Sequence, residues 1–465
     1  MRTIFHRTLA LIILVSATLN GQSNDEARKA YMKEANLIFD TALESGRAYE
    51  MLRELTKTIG HRLSGSPQAA AAIEWARLTM IDAGLENVHL QKVMVPRWVR
   101  GPVEQARIIN SPSIGTEELS VCALGRSIGT PEQGITAEVI EVHDFDQVRA
   151  LGNRAKGKII FYNRPFSRKE RNTFSGYRGA VDQRSLGAVE AAKVGAVAVL
   201  VRSMTPNLDD VPHTGALRYQ DGVKKIPAAA ISTMDAEMLS SVLKNDGSVR
   251  VTLRLSAKTL PDVMSYNVIG ELKGTDIPDE VVLLGGHLDS WDKGEGAHDD
   301  GSGCVQSIEA LRLLKELGLR PKRTLRAVMF INEENGLRGG RTYADSVAAS
   351  GPKHIVAIES DRGGFMPVGF TVSADGDRLR SVARWSYLFS QIGADRIRKG
   401  GGGADIGPLG RLGTLTIGLL PESQRYFTYH HTDLDVFEAV DRRELELGAA
   451  SMAILAYVLA NEGVR

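Results

Sequence analysis

The chain has 465 residues, with 57 Lys and Arg against 56 Asp and Glu, for a formal net charge of +1. So even a balance, with no long run of like charge, removes the electrostatic case for nucleic-acid binding. The length exceeds one ordinary hydrophobic core, so two domains are expected. Cys122 and Cys304 allow one bridge at most, not a disulfide framework.

At the start, Arg2 and Arg7 precede an apolar stretch from Leu9 to Val15, and the small residues Ala17 and Gly21 follow. Residues 1–21 read as a secretory signal peptide whose apolar core is too short to span a bilayer. The mature protein is therefore expected to be secreted or periplasmic, with no membrane association after signal removal. An uncleaved anchor or a fortuitous apolar leader is the alternative. No other segment reads as transmembrane. Residues 24–59 have a helical pattern. Ser66 precedes a helix over 67–84, with Pro67 in its first turn and Gly84 at its end. Segments 88–95 and 103–110 alternate as half-buried strands. The texture changes between about 115 and 255, where short strands and many glycines suggest a separate unit without a complete catalytic set. Its PHTG (212–215) offers His213 either to a pocket or to a surface turn.

From 256 to 465 the pattern is that of an open α/β sheet. VVLLGGH (281–287), TLRAVMFINEE (324–334), HIVAIESD (354–361) and LTIGLLPE (415–422) are apolar on both faces, as buried parallel strands are. Residues 302–318 form a helix with Val305, Ile308, Leu311 and Leu314 on one stripe and Gly318 as its stop. Cys304, on the apolar side, reads as a small core residue, not a ligand. The run GGGG (400–403) has no following Lys and reads as a flexible pocket loop, not a phosphate cradle. Polar residues gather at strand ends: His287, Asp299, Glu333, Glu334, Asp361 and His431. Alone, an H-x-D is a surface turn, a Glu pair a solvated helix face, and a strand-end Asp a helix cap. Together at the carboxyl edge of one sheet, where open α/β sheets bind ligands, two imidazoles and four carboxylates suit two zinc ions. One carboxylate can be shared between the metals and another kept free to deprotonate water.

The order H-x-D, D-x-x-S-G, E-E, strand-end D and H-T-x-x-D resembles the dinuclear-zinc exopeptidases, which include bacterial leucyl aminopeptidases and glutamate carboxypeptidases. The resemblance covers essentially all the chain after the leader. PHTGALRY (212–219), KKIPAAAIS (224–232) and GGGGADIGPL (400–409) carry a narrower likeness within that family. It implies a zinc-exopeptidase fold, with a mixed central sheet flanked by helices. Residues 22–114 would hold the N-terminal helices and the first part of the peptidase domain, 115–255 an inserted protease-associated-like domain, and 256–465 the metal-bearing part. It implies two zinc ions per chain: one held by His287 and Asp361, the other by Glu334 and His431, with Asp299 bridging them. Glu333 would be the general base, and the Asp289 carboxylate would fix the His287 tautomer.

Two alternatives stay open. His430 adjoins His431, whose choice rests on the spacing to Asp435, and a one-residue slip would put Asp300 in place of Asp299. His298 departs from the commoner asparagine or small residue at its position and reads as a pocket-wall variation. The resemblance further implies a dipeptide or short-peptide substrate and a homodimer. Asp405 is a candidate for a free amino group, or an ordinary loop cap; Arg362, Arg425 and Tyr426 are candidates for a free carboxylate. No GxSxG elbow suggests a serine nucleophile. The other readings are an aminopeptidase acting on longer peptides, a single-zinc acyltransferase, a receptor-like protein that binds without catalysis, or another two-metal hydrolase such as a phosphodiesterase.

Overall fold

The computed structural model describes residues 28–464, so the expected leader lies outside the described residues. An eight-stranded mixed sheet runs in the order Glu86–Val99, Lys258–Leu272, Arg323–Phe330, Ile277–His287, Lys353–Glu359, Leu415–Pro421, Pro367–Val372 and Arg396–Lys399. The third to sixth of these are mutually parallel. Their side chains alternate between two cores. Val282 and Leu284 face a large helical layer, whereas Val281 and Leu283 face a smaller cluster with Phe330, Tyr343 and Leu409. Burial on both faces explains why these strands read as unbroken apolar runs. The chain passes from Ile277–His287 to a neighbour on one side and then to a neighbour on the other. That reversal opens a crevice at the strands' carboxyl ends.

Helix Pro67–Asp82 starts where expected, with the Ser66 side chain accepting from the Ala69 N–H. It and helix Ser302–Glu316 close alike. Gly84 and Gly318 have φ of 73° and 66°, and the following N–H reaches back to Met80 O and Leu314 O. Helix Arg442–Glu462 is long and apolar enough to cross a membrane, but 89% of its apolar window is buried inside the protein. It is the central helix of the larger core, packed on Ser302–Glu316. The helical pattern over 24–59 is carried, among the described residues, by successive helices: helix 28–45 ends before Gly46, and Ala48–Glu54 starts afresh. Glu309 and Glu446 accept from the N–H groups of Arg47 and Tyr49 there, so buried carboxylates satisfy the new helix start.

A second eight-stranded sheet is built from the chain between Glu104 and Leu255. Strand Glu104–Ser111 pairs with Arg250–Leu255, so the second unit begins at Glu104, ahead of 115. The alternation of 103–110 suits a half-buried strand in either sheet, and pairing is not written in local pattern. The unit leaves and rejoins the first sheet through one antiparallel ribbon, with Val99 opposite Lys258. At that junction Trp98 meets Trp291 edge to face, and Arg100 pairs with Asp292 at 2.9 Å.

Candidate metal centre

The six polar residues converge in the crevice. His287 ends its strand, and Glu333, Glu334 and Asp361 follow theirs directly. Asp299 lies in the turn that opens helix Ser302–Glu316, and His431 follows the short helix Tyr426–Tyr429. The His287 Nε2 lies 3.3 Å from Asp299 Oδ1 and 3.4 Å from Asp361 Oδ1. The His431 Nε2 lies 3.3 Å from Asp299 Oδ2 and 3.2 Å from Glu334 Oε2. The donor atoms thus form two triads that share Asp299, one carboxylate oxygen in each.

The His287 Nδ1–H donates to the Asp289 carbonyl at 2.8 Å, which turns the Nε2 lone pair to the centre. The His431 Nδ1 lies 3.3 Å from both the Thr214 carbonyl and the Arg184 Nη1, and its Nε2 faces Asp299 and Glu334. The His287 contact corrects the expected role of Asp289: its backbone oxygen, not its carboxylate, orients His287. The carboxylate instead accepts from the Glu333 N–H at 3.0 Å, fixing the turn that carries the glutamate pair. Asp435 holds Asp299 in the same way, accepting from the N–H groups of His298 and Asp299 at 2.7 and 3.1 Å. Asp300 is used elsewhere. Its two oxygens accept from His287 N and Gly303 N, joining the strand end to the helix start.

Three observations fit zinc. Donor separations of 3.2–3.4 Å match the edge of a tetrahedron with metal–ligand bonds of about 2.0–2.1 Å. Asp299 Oδ2 and Glu334 Oε1 are buried with no hydrogen-bond donor, as acceptors awaiting a cation are. The titration behaviour agrees. Burial opposes charging the histidines, yet Asp299 and Asp361 hold His287 well above its ordinary value, while Glu334 and Asp299 raise His431 to about 9. Positive charge is wanted at both positions. Burial and then the Asp299 charge push Glu334 up to about 7. Burial, then the charges of Asp361 and Glu334, hold Glu333 well above the usual carboxylate range.

His430 also approaches, with Nε2 at 3.9 Å from Asp299 Oδ2, and its ring stacks on His431 at 3.5 Å. Asp299, His430 and His431 could hold an ion between them. His431 nevertheless has the shorter contacts, to both Asp299 and Glu334. His298 is not a pocket-wall residue. It stacks on Phe365 at 4.1 Å, donates to Ala439 O and accepts from Gly364 N, so both ring nitrogens serve the fold. His213 is buried with neither nitrogen bonded and does not line the crevice.

The crevice is a cavity of about 700 Å³, a size suited to a small molecule. Phe174, Tyr177, Arg184 and Ala216 of the second unit face the metal-centre residues across it. The loop 400–406 does not line it. Glu359 accepts from the N–H groups of Ala404, Asp405 and Ile406, which pins the loop, and a Cβ at Gly403 would strike that carboxylate. Asp405 is fully buried inside and unavailable to an amino group. Arg425 is engaged by Glu444 and Glu422, and Arg362 faces a neighbouring cavity, so of the three carboxylate candidates only Tyr426 reaches the site. Thr214, Tyr177 and Arg184 carry no short-range signal, because they reach the site only through the packing of one sheet on the other.

The fold and site define a hydrolase with a metal centre at the sheet's carboxyl edge. The sequence profile of peptidase family M28 matches residues 267–457. Carboxypeptidase Q of Bos taurus is 41% identical over 415 residues, covering 89% of this chain and 85% of that protein. A peptidase M28 precursor from Shewanella amazonensis superposes with a TM-score of 0.89 at 36% identity, covering 94% of this chain and 98% of the other. The zinc aminopeptidase BSAP of Bacillus subtilis shares the fold, with a TM-score of 0.65 at 22% identity over 90% of this chain and 96% of its own. The chain belongs to peptidase family M28 and is a metallopeptidase.

Proposed function

We propose that the protein is a secreted dinuclear-zinc exopeptidase that hydrolyses dipeptides or short peptides. The observation that carries this reading is the pair of donor triads sharing Asp299. His287 and Asp361 would hold one zinc, and Glu334 and His431 the other, with Asp299 available to both. When bound, the zinc pair supplies Lewis acidity that acidifies water and polarises the scissile carbonyl. Glu333, outside both triads but lining the cavity, takes the proton of the attacking water and returns it to the departing amine. Its raised proton affinity suits a group that accepts and then donates. The second unit acts as a protease-associated domain that roofs the cavity, and a substrate confined beneath it is short. The basic and apolar leader supports export, and the family resemblance supports a homodimer.

The test separates the adjacent glutamates. Glu333→Gln retains two zinc equivalents and lowers kcat by about 10²–10⁴-fold, the contribution of a general base. Glu334→Gln weakens one zinc. Loss of zinc in Glu333→Gln but not in Glu334→Gln would overturn the assignment.

A further inference from the structure

A second cavity, of about 640 Å³, lies next to the metal-centre crevice and shares only Phe174 with it. Six cations line it, Arg171, Arg178, Arg362, Arg396, Arg398 and Lys399, against a single carboxylate, Glu422. They come from three stretches of the chain. Arg396, Arg398 and Lys399 belong to the edge strand of the first sheet, where alternation puts Arg396 and Arg398 on one face and turns Ile397 to the larger core. Arg362 directly follows Asp361, and its guanidinium lies 5.5 Å from the centre of the Phe174 ring. Arg171 and Arg178 come from the second unit, before and at the end of helix Thr173–Arg178. The Thr173 hydroxyl donates to Ser423 O at 2.8 Å and the Gln424 amide to Arg171 O at 3.1 Å, which fixes that unit against the first.

The charges within this cavity do not balance. Lys399 is held by Asp375 at 2.7 Å, and Glu422 is taken by Arg425 at 3.2 Å. Arg178 donates to the Ser175 hydroxyl, and Arg362 reaches the Gly401 carbonyl at 3.5 Å. Among the described residues, none of the five arginines is within ion-pair distance of a carboxylate. An unmatched arginine on an open surface is ordinary, because water and salt screen it. Charged side chains also guard a free sheet edge against pairing with other chains. Neither accounts for one cavity walled by arginines from three places, where like charges repel in a chain of net charge +1. Guanidinium groups so arranged suit an oxyanion with several charged groups, since each offers a planar fork. The volume is that of a small-molecule site.

We infer that this cavity is a binding site, separate from the metal centre, for a small polyanion carrying phosphate or sulfate ester groups. A bound polyanion bridges the 171–178 stretch of the second unit and the edge strand of the first sheet, and so clamps the two units together beside the crevice. Phe174 is the wall between the two cavities. It stacks on Tyr426 at 5.2 Å and meets Phe427 edge to face at 5.0 Å, and both of these line the metal-centre cavity. The inference is independent of the peptide substrate, because none of the six cations lines the crevice itself.

The experiment measures calorimetric binding and Tm on the zinc-loaded full chain, with a hexose bisphosphate and a disulfated disaccharide as probes and the uncharged sugars as controls. One equivalent of a charged probe is expected to bind, more weakly as salt is raised, and to raise Tm, whereas the uncharged sugars do neither. Tighter binding of the bisphosphate identifies phosphate as the ligand chemistry, and tighter binding of the disulfated sugar identifies sulfate. Arg396→Gln and Arg398→Gln, both on the exposed edge strand, should each raise Kd by about tenfold, the worth of one charge-assisted contact, with zinc content and unliganded Tm unchanged. Arg171→Gln should do the same from the second unit, as a bridging ligand requires. Arg320→Gln removes an exposed arginine elsewhere and should leave Kd as it is. Binding that persists unaltered in the Arg171→Gln, Arg396→Gln and Arg398→Gln triple variant belongs to the zinc pair and overturns the inference. Failure of both probes to bind the wild type overturns it equally.

Discussion

Replacing Asp289 discriminates between the two ways an aspartate in an H-x-D motif can serve a metal centre. Its carbonyl orients His287, whereas its carboxylate accepts from the Glu333 N–H at 3.0 Å. Asp289→Ala keeps the backbone and deletes only the second contact. A buried N–H left without an acceptor costs about 1–3 kcal/mol. If that cost is expressed as displacement of the Glu333 turn, kcat falls by about 5- to 150-fold. The loss cannot exceed what Glu333 itself contributes, about 10²–10⁴-fold. Zinc content should stay at the wild-type value, because the Nδ1–H of His287 still meets the residue 289 carbonyl. Asp289→Asn should recover most of the rate, since an amide oxygen accepts the same N–H. The assay pairs metal analysis by mass spectrometry with dipeptide turnover. Co-loss of zinc and activity in Asp289→Ala would refute the reasoning and return the carboxylate to service on His287.

Other outcomes follow from single contacts. His431→Ala should lose zinc, whereas His430→Ala should retain both equivalents; the reverse result in metal analysis would exchange the two histidines. Gly403→Ala drives a Cβ into the Glu359 carboxylate that holds the 404–406 loop, and should lower stability by about 1–3 kcal/mol in denaturant titration. Glu446 lies far from the metal centre, and burial followed by the Glu309 charge raises it to about 7 from 4.5. The folded state therefore binds its proton more tightly than the unfolded chain does. Its stability contribution is complete below about pH 4.5 and is lost as pH rises through about 7, by roughly 3 kcal/mol. Glu446→Gln should accordingly raise Tm relative to wild type at pH 8 and leave it nearly unchanged at pH 4.5; equal shifts at both would discount the titration.

Much of the site is legible in sequence because each metal-centre residue sits beside a strong local signal. His287, Glu333 and Asp361 close strands whose two-sided apolarity identifies them, and D-x-x-S-G opens a helix with a marked stripe. Short-range pattern also gives the helix start at Ser66 and the glycine stops at 84 and 318. It fails where a long-range contact decides. Asp289 and Asp435 act on neighbours through backbone N–H groups, which no side-chain pattern encodes. Arg425 looks free until Glu444, brought near by the last helix, takes it up. The 400–403 glycines read as flexible, but Gly403 is small to let Glu359 approach, and Gly400 and Gly402 pack on Thr371 and Thr416. Strand Glu104–Ser111 has the alternation either sheet would accept, and the partner that ties it into the second sheet, Arg250–Leu255, is more than a hundred residues away.

The Thr214 N–H donates to the His431 carbonyl at 3.0 Å, and the Thr214 carbonyl and the Arg184 Nη1 both stand 3.3 Å from the His431 Nδ1. A residue of the second sheet thereby completes the setting of a metal-binding residue of the first. On the zinc assignment, ion affinity and the docking of the two sheets are linked quantities, each strengthened by the other to the same degree. Chelation should then loosen the joint between the sheets, and mutations along that joint should be felt first as weaker metal retention. The second sheet is consequently not a detachable cover. A chimera that grafts a foreign unit at the Val99–Lys258 ribbon would inherit the zinc site only if it also reproduced the Thr214 and Arg184 contacts to the His431 ring.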